Sequence, residues 1–259
     1  MSEVKAIVLR AAGINCDMET EHALELAGAK AQRVHINRLI EDRKLLRKFQ
    51  ILVFPGGFSY GDDVAAGKIL ANQIVHHLSE PLREFIKAGK LVLGICNGFQ
   101  VLVRTGLLPD SKMGDIRCTL MGNDSGRFEC RWINIRVEES PCIFTRGLSG
   151  SNLSVQVAHG EGKFYAEPVQ LEKLESGGRV VFRYSTDNGG QALSYPENPN
   201  GSLNSIAGIC DSTGLVLGLM PHPERFVSLQ QHPNWRRGQI DFPHGLPIFK
   251  NAVDYCLAM

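Results

Sequence analysis

The chain has 259 residues, of which 43% are hydrophobic and 21% charged, and its formal net charge is +1. This composition is typical of a globular protein with a core of normal size. A near-balanced charge argues against nucleic acid or an anionic membrane as the main partner, because both usually require a basic face. The apolar runs are all shorter than a membrane span, and charges near the N-terminus argue against a secretion signal.

The first hundred residues alternate between short apolar runs and amphipathic segments. The apolar runs predict strands at residues 4–10, 31–36, 51–57 and 90–95. The intervening segments predict helices at residues 17–29, 40–49, 63–78 and 81–89. Continuous apolar strands separated by helices predict a mostly parallel sheet that is covered by helices.

The pattern changes after about residue 127. Alternating apolar and polar residues predict additional antiparallel strands, at 127–137, 153–160, 179–185 and, as a hairpin, 205–220. A closing helix is predicted at residues 246–258. Because there is no repeat and no long linker, the sequence predicts an α/β fold with a single domain over residues 1–259.

The seven cysteines are scattered along the sequence. They are Cys16, Cys96, Cys118, Cys130, Cys142, Cys210 and Cys256. None belongs to a CxxC pair, so the close ligand spacing of structural zinc sites is missing and we expect no metal site. Scattered, odd-numbered thiols are typical of a reducing compartment, and we expect a cytoplasmic location.

The segment "LVLGICNGFQVL" (91–102) places Cys96 where a buried strand passes into a helix. Gly94 and Gly98 flank the cysteine, which gives the G-x-nucleophile-x-G form of a nucleophile elbow with Cys in place of Ser. A helix N-terminus presents free backbone N–H groups and stabilises a thiolate. The motif therefore predicts a nucleophilic cysteine, and a buried cysteine in a glycine-rich turn is the alternative.

The segment "GLVLGLMPHPERF" (214–226) is another apolar run, and it leads directly into His222 and Glu224. Pro221 and Pro223 restrict the local backbone, so we expect an extended loop in which side chains two residues apart point the same way. His222 would then serve as the base and Glu224 would orient it, as cysteine catalysis requires. A surface histidine in a proline-rich loop is the alternative.

The segment "FPGGFSYGDD" (54–63) follows the third predicted strand. The carboxyl ends of parallel strands line one crevice, so we expect this loop to lie near the cysteine and the histidine. We predict that an amide of Gly57 or Phe58, together with that of Asn97, forms an oxyanion hole. A plain glycine-rich turn is the alternative.

Four motifs, in this order, resemble the class I glutamine amidotransferases: "PGGFSYGDD", "GICNGFQ", "AHGEGKF" and "PHPER". Among these enzymes, they look most like the glutaminase subunits of phosphoribosylformylglycinamidine synthase, over most of the chain. The resemblance implies a flavodoxin-like sheet and a catalytic triad of Cys96, His222 and Glu224. It implies hydrolysis of L-glutamine through a γ-glutamyl thioester, with release of ammonia.

The resemblance also implies substrate contacts. Gln100 matches a position that contacts glutamine in the family. Asn123, Ser125 and Phe128 lie in "NDSGRF" (123–128), which looks like the segment that holds the α-amino and α-carboxylate groups of glutamine. A solvated or capping polar loop is the alternative for these three residues.

A synthetase partner is a further implication of the resemblance. The sequence contains no Walker-type phosphate loop, so we expect no cofactor in this chain and expect ATP and Mg²⁺ in a separate synthetase subunit. That partner would convert formylglycinamide ribonucleotide to formylglycinamidine ribonucleotide, and a small accessory subunit is a candidate third component. Residues 158–164 and 230–245 are candidate partner-facing loops, or solvated loops packed on their own domain.

Two other functions remain open at this point. The first is a different cysteine hydrolase on the same fold, either another class I amidotransferase or a γ-glutamyl hydrolase. The second is a non-catalytic module that keeps the fold. The second alternative would leave an intact triad without a use.

Overall fold

The computed structural model describes residues 3–238 and 240–259. These residues form eleven strands: β1 (Lys5–Arg10), β2 (Lys30–His35), β3 (Ile51–Phe54), β4 (Leu91–Ile95), β5 (Cys118–Met121), β6 (Glu129–Val137), β7 (Asn152–His159), β8 (Lys163–Ala166), β9 (Val180–Ser185), β10 (Ile206–Cys210) and β11 (Val216–Leu219). The α-helices in this part of the chain are α1 (Asp17–Leu26), α2 (Ile36–Glu41), α3 (Lys68–Lys87), α4 (Asn97–Thr105), α5 (Pro168–Ser176) and α6 (Leu246–Leu257).

Nine strands form one mixed sheet in the order β2-β1-β3-β4-β11-β10-β9-β6-β7. The first five in this order are parallel, and β10, β9, β6 and β7 continue the sheet with antiparallel pairing. Strands β5 and β8 form a separate antiparallel pair. The predicted fold class is therefore confirmed: a largely parallel centre is extended by antiparallel strands.

The core lies on the parallel strands and the helices that cover them. Every residue of β3, β4 and β11 is buried, which agrees with the continuous apolar runs of these strands. Burial of each large apolar side chain contributes about 1.5–3 kcal/mol, so this layer supplies much of the stability. The largest fully buried side chains include Phe54, Phe99, Phe182, Tyr184 and Phe249.

Helix α3 replaces the two helices that we predicted at residues 63–78 and 81–89. It runs without interruption through Pro81 and begins only after Gly67, whose φ is +74°. An internal proline costs about 3 kcal/mol because it removes a helical hydrogen bond. Burial of one continuous apolar face on both sides of the proline outweighs this cost; its residues are Leu70, Ile74, Leu78, Leu82 and Phe85.

Other local predictions were partly wrong. The helix expected at 40–49 is instead α2 followed by a 3₁₀ turn at Arg43–Lys48, because the Asp42 side chain accepts from the Lys44 amide at 3.1 Å and starts a new turn. Helix α5 and the pair β5–β8 were not predicted. None of the described helices is both long enough and apolar enough to cross a membrane.

Candidate active site

Three adjacent parallel strands end at the same edge of the sheet. Phe54 of β3 lies opposite Gly94 of β4, and Ile95 of β4 lies opposite Leu219 of β11. Each of these strands is followed by a segment that the sequence analysis singled out. The structure therefore confirms that the glycine-rich loop, the cysteine and the histidine meet at one edge.

Cys96 occupies a strained backbone position between β4 and α4. Its φ is +52° and its ψ is −106°, a conformation that costs a non-glycine residue about 1–3 kcal/mol. The flanking glycines serve close packing: a Cβ at Gly94 would lie 2.6 Å from the Leu102 side chain, and one at Gly98 would overlap the Phe54 carbonyl oxygen. The positive φ thus falls on the cysteine itself, while the glycines let α4 approach the sheet.

His222 and Glu224 form a buried hydrogen-bonded pair. Nδ1 of His222 lies 2.6 Å from Oε1 of Glu224, and both residues are 1% exposed. The extended loop that we predicted here was wrong, because Pro223–Arg225 forms a 3₁₀ turn. Proline suits the first position of such a turn, and the turn brings the two side chains together. The His222 amide donates to the Gln156 carbonyl of β7 at 2.8 Å, which fixes the backbone of the histidine.

The surroundings of His222 favour its protonated form. Burial opposes the charge, but the charges of Glu224 and Cys96 raise the pKa of His222 well above its ordinary value. Nε2 of His222 is buried and has no hydrogen-bond partner within residues 3–238 and 240–259. One ring nitrogen is therefore held by Glu224, and the other is available for proton transfer.

The three backbone amides predicted to form the oxyanion hole differ in whether another group already accepts a hydrogen bond from them. The Phe58 amide donates to the Gly13 carbonyl at 2.9 Å, so Phe58 is not a free donor. The amides of Gly57 and Asn97 donate to no other group in the described parts of the chain. Gly57 has a φ of +138°, and a Cβ there would lie 2.7 Å from the Asn15 amide nitrogen, so only glycine fits.

The Asn97 side chain has a role that the sequence analysis missed. Its Oδ1 accepts from the Ser59 amide at 3.3 Å, and its Nδ2 donates to Asp62 Oδ1 at 3.3 Å and to Gln100 Oε1 at 3.0 Å. These bonds connect the glycine-rich loop (54–63) to α4. The loop that carries Gly57 is thereby held in a fixed position beside Cys96.

Two of the predicted substrate contacts are committed to other parts of the protein. Nε2 of Gln100 donates to the Glu161 carbonyl at 2.6 Å, while its Oε1 accepts from Asn97. Nδ2 of Asn123 donates to the His159 carbonyl at 2.8 Å, and its Oδ1 accepts from the Gly162 amide at 3.0 Å. Both side chains therefore hold the loop at residues 159–162 in place.

The other two predicted contacts lie in more open positions. Ser125 donates to Glu129 at 2.8 Å and lines a cleft of about 720 Å³, whose described lining does not include Cys96. Phe128 is 52% exposed, and its ring centroid lies 6.2 Å from that of Phe58. These two exposed rings connect the predicted segment to the glycine-rich loop.

A second thiol lies at the site, and the sequence analysis did not single it out. Cys16 immediately precedes α1, and one ligand atom from each of Cys16, His222 and Glu224 lies within 4.8 Å of the others. Arg225 donates from Nη2 to Sγ of Cys16 at 3.3 Å. Burial raises the pKa of the Cys16 thiol. No local motif marks Cys16, because its contacts come from the far end of the sequence.

A sequence model of the CobB/CobQ-like glutamine amidotransferase domain matches residues 3–256. The chain belongs to this glutamine amidotransferase family. Phosphoribosylformylglycinamidine synthase subunit PurQ of Dehalococcoides mccartyi is 48% identical over 257 residues, which cover 98% of each chain. Among solved structures, that of PurLQS from Thermotoga maritima aligns with a TM-score of 0.74 and 30% identity, over 98% of this chain and 100% of that one.

Membership of this family makes the chain a glutamine amidotransferase, as its four motifs predicted. A further solved structure, a glutamine amidotransferase of Thermotoga maritima, has a TM-score of 0.56 and 14% identity, over 100% of both chains. At that identity the likeness concerns the fold alone. It supports the class I amidotransferase architecture that the mixed sheet displays.

Proposed function

We propose that this chain is the glutaminase subunit of a phosphoribosylformylglycinamidine synthase, and that residues 1–259 act as one glutaminase domain. The observation that carries the proposal is the delivery of Cys96 and the His222–Glu224 pair to one edge by neighbouring strands β4 and β11. The curated relatives are named as subunits of that synthase and extend over nearly the whole chain, which supports this choice over a γ-glutamyl hydrolase.

In this proposal Cys96 is the nucleophile. Its thiolate attacks the side-chain amide carbon of L-glutamine, and the amide oxygen becomes an oxyanion. The backbone amides of Gly57 and Asn97 are the proposed donors to that oxygen. Loss of one such donor costs on the order of 10²–10³ in rate, which makes the position of the glycine-rich loop important for catalysis.

His222 moves the protons in both halves of the reaction. It first gives a proton to the departing nitrogen as the C–N bond breaks, which releases ammonia and leaves a γ-glutamyl thioester on Cys96. It then takes a proton from water, which attacks the thioester and releases glutamate while the thiol is restored. Glu224 holds the imidazole and stabilises its protonated form throughout.

We assign the four predicted substrate contacts to two kinds of role. Gln100 and Asn123 position the loop at residues 159–162 beside the thiol, as their hydrogen bonds support. Phe128 acts with Phe58 at the entrance to the site, and Ser125 lies farther out along the same segment.

The proposed subunit depends on an ATP-using partner. The synthetase would hold ATP and Mg²⁺ and use the ammonia to make formylglycinamidine ribonucleotide, with a small accessory subunit as a further component. No resident cofactor takes part in the glutaminase steps. We place the protein in the cytoplasm, which its seven free thiols support.

Reconstitution tests this function. Glutamine hydrolysis by the chain alone should be slow, and it should increase when the synthetase, ATP and formylglycinamide ribonucleotide are added together. The matched control omits only the ribonucleotide. Fast cleavage of γ-glutamyl peptides without any partner would contradict the proposal and favour a γ-glutamyl hydrolase.

A further inference from the structure

Cys16 has no part in the proposed catalytic steps, but it lies in a cluster with His222 and Glu224, and all three side chains are of types that bind metals. The thiol of Cys16, the ring of His222 and the carboxylate of Glu224 each offer a ligand atom within 4.8 Å of the other two, and all three residues are buried. Our sequence expectation of no metal site relied on close spacing along the chain. The fold instead assembles this cluster from residues near opposite ends of the sequence.

The backbone around Gly56 explains how these groups come so close. The Cys16 amide donates to the Gly56 carbonyl at 3.2 Å, which holds the start of α1 against the glycine-rich loop. A Cβ at Gly56 would lie 2.7 Å from Cε1 of His222 and 3.0 Å from Sγ of Cys16. The absence of a side chain at Gly56 therefore lets the thiol and the imidazole approach each other.

The chemistry of these ligands selects the kind of metal. A thiolate, an imidazole and a carboxylate form a typical zinc set, whereas Mg²⁺ and Ca²⁺ prefer oxygen ligands. Two atoms of the cluster, Nε2 of His222 and Oε2 of Glu224, are buried without a hydrogen-bond partner in the part of the chain that the structure describes. His222 and Glu224 therefore keep hydrogen-bonding capacity that the described residues leave unused.

We propose that Cys16, His222 and Glu224 form an inhibitory site for Zn²⁺ and similarly thiophilic cations such as Cd²⁺. This inference rests on the proposed function, because two of the ligands are members of the proposed triad. On binding, the S–H bond of Cys16 breaks, a metal–sulfur bond forms, and the proton passes to solvent. The metal also takes one ligand atom each from His222 and Glu224, which breaks their hydrogen bond, and the proton of that bond passes to solvent as well.

The geometry requires only a modest local adjustment. Zinc bonds of about 2.0–2.3 Å place neighbouring ligand atoms roughly 3.3–3.8 Å apart. The Cys16 thiol, which lies within 4.8 Å of the other two ligand atoms, must therefore close in, while Nδ1 of His222 and Oε1 of Glu224, now 2.6 Å apart, must separate by about an ångström. Burial favours the neutral thiol of Cys16, so the metal must displace the thiol proton; the hydrogen bond that Arg225 donates to the sulfur can persist in the metal-bound thiolate. An imidazole held by the metal can no longer pass a proton between glutamine and Cys96, so the reaction stops.

Cadmium binding tests the site without reference to catalysis. In full-length Cys96→Ser protein, we expect one Cd²⁺ to bind with a thiolate-to-metal absorption band, and the additional Cys16→Ser change should weaken binding by roughly 10–100-fold. Cys130→Ser in the same background is the matched control, because Cys130 is an exposed free thiol. If only the Cys130 change weakens binding, the metal binds adventitiously and the proposed site is wrong.

X-ray absorption of the Cd²⁺-loaded Cys96→Ser protein gives a second measurement that needs no change at Cys16. We expect a first shell with one sulfur and otherwise nitrogen or oxygen atoms. A shell with two or more sulfurs, or with none, would overturn the assignment. This measurement remains decisive if a Cys16 variant fails to fold.

Inhibition is then measured in the complete complex with the synthetase. The Zn²⁺ concentration for half inhibition of glutamine hydrolysis should rise at least tenfold in Cys16→Ser, with each rate normalised to its own chelator-treated value. Equal sensitivity of the two proteins would show that Zn²⁺ inhibits at another group and not through the proposed site. A wild-type complex that hydrolyses no glutamine would refute the proposed function, while the cadmium experiments would still decide the metal site.

Discussion

The Cys96 amide donates to the Leu219 carbonyl at 2.8 Å, so a backbone hydrogen bond joins the proposed nucleophile to the strand that leads to His222. This bond belongs to the parallel pairing of β4 and β11, which are buried along their whole length. The relative position of thiol and imidazole is thus set by the core of the sheet. Changes that disturb this layer should therefore affect both stability and glutamine hydrolysis.

Gly98→Ala should destabilise the protein, because the new Cβ would overlap the Phe54 carbonyl oxygen. Alanine gains about 1 kcal/mol in helix propensity over glycine, but the backbone overlap outweighs it. We expect a net loss of at least about 2 kcal/mol in the free energy of unfolding, measured by urea denaturation. Gly122→Ala is the matched control, since no atom lies within 4 Å of a Cβ there. Equal stability of the two variants would refute the packing argument.

Glu224→Gln should lower the glutamine-dependent kcat by on the order of 10²–10⁴ while the fold persists. The amide keeps the shape of the carboxylate but lacks the charge that stabilises protonated His222, and it can present a donor to Nδ1. Steady-state assays of the reconstituted complex measure the effect. Glu172→Gln, on the exposed side of α5, is the matched control and should leave kcat unchanged. A rate for Glu224→Gln close to that of the control would remove Glu224 from the triad.

His159 should make the protein less stable in acid. Burial and, secondarily, the charge of His222 lower the pKa of His159 to about 3. The neutral ring fits its partners: Nδ1 lies 3.1 Å from Oδ1 of Asn123, and Nε2 lies 3.5 Å from the side-chain Nδ2 of Asn200. Between pH 6.5 and 3 the unfolded chain binds a proton that the folded chain does not, so stability falls as pH falls.

The measurement compares the free energy of unfolding at about pH 7.5 and about pH 5. Because one proton changes stability by at most about 1.4 kcal/mol per pH unit, wild type should lose up to about 2 kcal/mol more than His159→Gln. His76→Gln, on the exposed side of α3, serves as the control and should follow wild type. An identical pH dependence for wild type and His159→Gln would show that this histidine is not buried in its neutral form.

The sequence predicted the parts of the site that local motifs encode. Cys96 between two glycines and His222 two residues before Glu224 are visible as short patterns at the ends of apolar runs. Their convergence followed from the parallel sheet, which the apolar strands made predictable.

The parts that were missed depend on contacts between distant segments. Cys16 reaches the site only because the start of α1 packs on the glycine-rich loop. The fold pairs the Phe58 amide with the Gly13 carbonyl, and it pairs the polar atoms of Gln100 with Asn97 and Glu161. Such partners cannot be read from one segment alone.

The most direct test of the central claim is the Cys96→Ser variant in the reconstituted synthase complex, supplied with either glutamine or ammonium. We predict that product formation from glutamine falls by at least about 10³-fold, while formation from ammonium stays within about twofold of wild type. Loss of both activities, or retention of glutamine use, would contradict a thiol nucleophile that feeds a separate synthetase.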